Sequence, residues 1–181
     1  MRLTSIGFAL FLLAPGAIAE IEKTAVPCET GMCLFWWPKL APIPGWHQDL
    51  EQSDNYGINA LAPDGATFAD AEVVMYARAS FKPRMPEVTS LEMLMENDRK
   101  DFTANTPGVR IEEAKALHTA DKKKLKSRTF LPTQGGNWER VAYGEEGEFY
   151  LVFTLSSRTK TAYEKAIPAY EALIRSYKEK P

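Results

Sequence analysis

Cys28 and Cys33 are the only two cysteines of the chain, separated by four residues in VPCETGMC. Two thiols this close can form a disulfide, act as a redox dithiol, or supply half of a metal site. The redox reading asks for C-x-x-C and the metal reading for a second ligand pair, and the sequence offers neither. A structural Cys28–Cys33 disulfide is therefore the expectation, contributing on the order of 2 kcal/mol through chain entropy.

The other residue types that do chemistry are thinly spread. His47 and His118 are the only histidines and lie far apart in the chain, so no pair has metal-ligand spacing and no metal or cofactor is expected. There is no G-x-S-x-G elbow, and Ser156-Ser157 reads as a turn into the last helix. Gly135-Gly136 precedes a strand, the wrong context for a phosphate loop. Two charged groups remain, Glu145, Glu146 and Glu148 at one turn and Lys122, Lys123 and Lys124 at another. The glutamates lack the spaced Asp/Asn ligands of a calcium loop, so both groups read as solvated tips or as a partner surface. Trp36, Trp37, Trp46 and His47 form the remaining cluster. Their rings either bury an N-terminal arm or offer an anchor for a partner.

The elements that position these residues begin with MRLTSIGFALFLLAPGAIAE, one cation ahead of a short apolar run and an Ala-Ile-Ala tail. That is the pattern of a secretory signal peptide over residues 1–19, cut after Ala19. The run is shorter than the roughly 20 residues of a spanning helix, and no cysteine stands where it could be lipidated. An exported protein follows, periplasmic or secreted and not lipid-anchored, with no integral membrane segment after cleavage. The net charge of −2 gives no basic face for nucleic acid. Beyond the signal, residues 20–44 read as a Pro-rich arm carrying the disulfide, and 45–181 as a single domain.

Within that domain, Ser53-Asp54-Asn55 reads as a turn, followed by strands over 57–62 and 71–79. A helix from Leu91 to Phe102 begins with a capping box, Thr89 as N-cap and Glu92 three residues on. Residues 109–118 and 125–131 form a hairpin placed near the sheet edge, where its lysines discourage edge pairing. Residues 135–158 form a second hairpin, whose arm Phe149-Leu151-Phe153-Leu155 belongs mid-sheet. The closing helix is capped by Thr161 with Glu164, and Pro168 kinks it or marks its first turn. The class is α+β, a mainly antiparallel sheet with helices packed on its faces.

This element order resembles the Mog1/PsbP-like group. The resemblance is carried by Pro44-Gly45-Trp46, the strand Ala71 to Ala79, the helix Leu91 to Phe102 ahead of Pro107-Gly108, the Asn137 to Leu155 hairpin and the closing helix. It implies an α-β-α sandwich and an accessory or binding role without a shared catalytic motif. The functional expectation is an exported, non-catalytic protein that binds a protein or envelope component. Two alternatives stand beside it: an inhibitor or immunity-type protein that blocks a toxin or hydrolase through the charged tips, and a hydrolase with a carboxylate dyad assembled only by folding.

Overall fold

The structure is a computed structural model, described over residues 21–28 and 31–179. The predicted signal peptide and the side chain of Cys28 lie outside the described residues. Among the described residues no helix is long and apolar enough to cross a membrane.

The N-terminal arm is a β-hairpin, β1 (Ile21–Cys28) against β2 (Gly31–Pro38), forming a sheet of its own. The prolines that argue against a central strand are tolerated here because each strand of a two-stranded ribbon keeps a free edge. Next come β3 (Trp46–Gln48), α1 (Leu50–Tyr56), β4 (Asn59–Pro63) and β5 (Val73–Phe81). The chain continues through α2 (Leu91–Asn105), β6 (Arg110–His118), β7 (Lys124–Leu131), β8 (Trp138–Glu146), β9 (Phe149–Ser157) and α3 (Lys160–Ser176). Seven strands pair antiparallel in the order β3-β4-β5-β9-β8-β7-β6.

The β6–β7 hairpin lies at the edge as expected, and β9 occupies the middle. Its alternation divides the core in two. Leu151, Phe153 and Leu155 join Met75, Ala77, Tyr170, Leu173 and Ile174 under α3, while Tyr150 and Val152 join Val141, Tyr143, Leu94 and Met95 under α2. Trp138 packs on the α3 side against Tyr163, because its strand parity matches Arg140 and Ala142. Arg140 is buried on that side too. Its guanidinium donates to Glu171 at 2.9 Å, to the Lys115 carbonyl at 3.2 Å and to Ser127 at 3.4 Å. One cation thereby joins β8 to β7, β6 and α3.

Three local expectations are corrected. Residues 50–56 are a helix and not a turn: Asp49 caps its start, accepting from Gln52 N at 3.1 Å, and Gly57 ends it with φ +64°. Ser90, not Thr89, caps α2, its hydroxyl accepting from Met93 N at 3.2 Å. Thr159, not Thr161, caps α3, accepting from Ala162 N at 3.2 Å, and Pro168 sits on the exposed side well inside that helix. In all three the sequence offers neighbouring hydroxyl or carboxylate candidates, and the cap goes to the one whose backbone is extended while its oxygen reaches the third following N–H.

Candidate functional site

Helix α2 covers β7, β8 and part of β9, leaving the β4–β5 side of the same face to other elements. There the segment 66–72 folds over the sheet. Asp49 holds it: besides capping α1, its second carboxylate oxygen accepts from Phe68 N at 2.9 Å. These two amide donors, Phe68 first, hold the Asp49 carboxyl below the usual carboxylate range. The far side of the segment is held by Arg158, which donates to the Ala69 carbonyl at 2.7 Å, and by Ser157, which donates to the Glu72 carbonyl at 3.2 Å.

Under this segment lies a cavity of about 450 Å³, reached from α1, β5, β8 and β9. Register places its floor in rows across the strands. Val74, Ser156 and Glu139 form one row, and Tyr76 lines the cavity from the next, whose other members are Thr154 and Val141. Three aromatic rings line it in a chain. Tyr56 stands 6.1 Å from Phe68 at 47°, and Phe68 stands 6.1 Å from Tyr76 at 73°. Tyr56 is 61 % exposed at the mouth, unusual for a large ring on a surface helix.

Glu139 is the charged residue in this floor, 7 % exposed. One of its carboxyl oxygens accepts from the Ser156 hydroxyl at 2.7 Å, and Ser156 in turn accepts from Asn137 at 3.0 Å. The other oxygen is buried without a partner. Burial raises the Glu139 carboxyl to about 7; the Ser156 hydrogen bond opposes the rise, and the Asp98 charge on α2 adds to it. Burial also raises Tyr76, with the Glu139 charge adding to the effect. Asp98 itself accepts from the buried Tyr143 hydroxyl.

The residues singled out from sequence fall elsewhere and are not brought together. Trp36 and Trp37 are successive residues of β2. Trp37 is buried and leaves its indole N–H without a partner, while Trp36 stacks on Phe81 at 5.5 Å with Arg84 4.6 Å from its ring. Trp46 is half-buried on β3, and His47 beside it is exposed, 3.6 Å from Asp64. The two hairpin tips share the opposite end of the sheet from the cavity. Lys123 pairs with Glu179, Glu145 lies 3.7 Å from Lys82, and Glu146 accepts from the Tyr177 hydroxyl, whereas Lys122, Lys124 and Glu148 are exposed. Cys33 lies on β2 opposite Val26, and Cys28 ends β1 opposite Gly31. Among the described residues no group of three or more His, Cys, Asp or Glu is placed to hold a metal ion.

Sequence reasoning missed the cavity, although one signal was present. Glu139 alternates with Val141 and Tyr143 on a single face of a strand that belongs inside a sheet, where an acid needs an explanation. Phe68 carries no such signal, since its segment lies between strands. No protein-family model matches the chain, and no characterised protein matches it in sequence.

Proposed function

We propose that this protein is an exported binding protein, periplasmic or secreted, whose ligand site is the cavity beneath residues 66–72. The observation that carries the proposal is a cavity of about 450 Å³ lined by three aromatic rings and by a buried acid with one unpartnered oxygen. A mostly apolar, concave site of this size with a few converging polar groups is how small ligands are held. Helices α2 and α3 on opposite faces of the sheet suit the α-β-α sandwich of Mog1/PsbP-like accessory proteins, which the element order resembles. The proposal includes cleavage after Ala19 and the Cys28–Cys33 disulfide, which ties the β1–β2 hairpin at its turn.

The test compares wild type with Val74→Phe, which fills the cavity floor. Small molecules that raise the melting temperature of wild type by a few degrees are expected to leave the folded Val74→Phe protein unshifted. Equal shifts in both proteins, or none in wild type, would reject the cavity as the site. The intact mass of the exported protein is expected to lack residues 1–19 and two hydrogens; two free thiols would remove the disulfide.

A second reading has its own observation. A carboxyl at about 7 suits a general acid or base at neutral pH, which names Glu139 as the candidate group for a hydrolase. Turnover lost in a folded Glu139→Gln variant would establish it in place of the binding role. The inhibitor reading has less to stand on, because Lys123, Glu145 and Glu146 are engaged within the chain.

A further inference from the structure

We propose that the ligand of this cavity is an organic ammonium ion, its cationic head held among Tyr56, Phe68 and Tyr76 against the Glu139 carboxylate. The inference rests on the binding role proposed for the cavity and adds the chemistry of what enters it.

Three features converge on that class. The rings follow one another at 6.1 Å, tilted by 47° and 73°, and all three line the cavity from its mouth inward. A wall of rings attracts a cation through the ring quadrupoles, and a bulky, weakly hydrated ammonium suits it because little solvation is lost on entry. The Glu139 oxygen without a partner supplies the counter-charge. Its residue lines the same cavity, and the neighbours Val74 and Val141 leave Glu139 no competing cation. Arg158, the cation at the cavity wall, is committed to the Ala69 carbonyl at 2.7 Å, holding the roof rather than neutralising the floor.

The other groups facing Glu139 set the sign of its pH response. Asp98 from α2 and the desolvated site favour the protonated acid, while Ser156 from β9 favours the carboxylate; Tyr76 from β5, with Tyr56, Glu72 and Arg158, completes the titratable lining. An arriving cation favours the carboxylate, so binding releases a proton from a group that titrates near neutrality. Affinity therefore rises with pH.

The probe is choline, titrated calorimetrically against its neutral isostere 3,3-dimethylbutan-1-ol. Choline is expected to bind at least tenfold tighter than the isostere, and its affinity to rise about tenfold from pH 6 to pH 8. Glu139→Gln is expected to abolish the pH dependence and to shrink the preference to what the rings alone supply. Phe68→Ala, in the half-buried roof, is expected to weaken choline about tenfold with the carboxyl intact. Sedimentation with phosphatidylcholine vesicles, competed by free choline, distinguishes a lipid headgroup from a free base, and binding in either form supports the inference. Equal binding of choline and the isostere would overturn the ammonium assignment while leaving the cavity a binding site. Failure of choline to bind, when other molecules shift wild type but not Val74→Phe, would do the same.

Discussion

Glu139 decides most at the scale of single residues, because its environment is legible in free-energy terms. The carboxyl moves from 4.5 to about 7 on folding, so the folded protein holds its proton more tightly than the unfolded chain. The stability associated with this group is complete below pH 4.5 and is lost as pH rises through 7. The loss amounts to about 3 kcal/mol. Glu139→Gln keeps an oxygen for the Ser156 hydroxyl and carries no charge, so it stands for the protonated acid at every pH. Urea denaturation of both proteins from pH 4 to pH 8 is expected to show nearly equal stability at the acid end. The variant should be more stable by about 3 kcal/mol at the alkaline end. Subtracting the two curves removes every group they share, and parallel curves would show that Glu139 stays hydrated. The sequence shows that an acid shares a face with Val141 and Tyr143. That this acid ends buried with one oxygen unpartnered depends on which distant segments fold over its face, a long-range event that strand alternation does not encode.

At the scale of elements, the least legible part of the chain was the N-terminal hairpin and the helix it leans on. Pro27, Pro38, Pro42 and Pro44 made 20–44 read as a Pro-rich arm and not as a hairpin, and Ser53-Asp54-Asn55 made α1 read as a turn. Yet Asp49 and Gly57 frame α1 with the cap chemistry that helices use. Seven residues are too few to show a periodic stripe. Tertiary contact supplies the rest: Ser53 is buried, donating to the Asp49 carbonyl at 2.7 Å and accepting from Ala60 N at 3.0 Å. The hairpin meets α1 at Gly57, where an added Cβ would stand 2.2 Å from the Phe35 ring. Gly57→Ala thus meets two costs. The left-handed φ of +64° accounts for about 1 kcal/mol, and the clash for about 1–3 kcal/mol more. Gly57→Ala/Phe35→Leu is expected to recover the clash and not the backbone cost. Chemical denaturation of the two variants separates the parts, and no recovery in the double variant would mean that Phe35 does not rest on α1.

Over the whole molecule, the central place of β9 is the best-read feature, because large apolar residues recur on both its faces and only a central strand buries both. The C-terminal segment was not read at all as a clasp. Beyond α3 it crosses the end of the sheet where both hairpin tips project: Ala120 N donates to the Tyr177 carbonyl at 2.7 Å, Lys123 pairs with Glu179, and the Tyr177 hydroxyl donates to Glu146. Tyr177 is 3 % exposed and meets Phe153 edge-on at 5.3 Å, so one side chain joins the core under α3 to the tips of β6–β7 and β8–β9. Removing the hydroxyl and removing the ring therefore test different links. Tyr177→Phe keeps the ring and is expected to cost about 1 kcal/mol, the loss of one hydrogen bond to a charged acceptor that water can partly replace. Tyr177→Ala empties the site and is expected to cost about 3–5 kcal/mol. Hydrogen exchange carries the decisive difference: in Tyr177→Ala the amides of both tips should lose protection together, with the strands near Glu139 keeping theirs. Loss of protection confined to one tip would show that the two hairpins are held separately, and that the charged end of the sheet is two surfaces and not one.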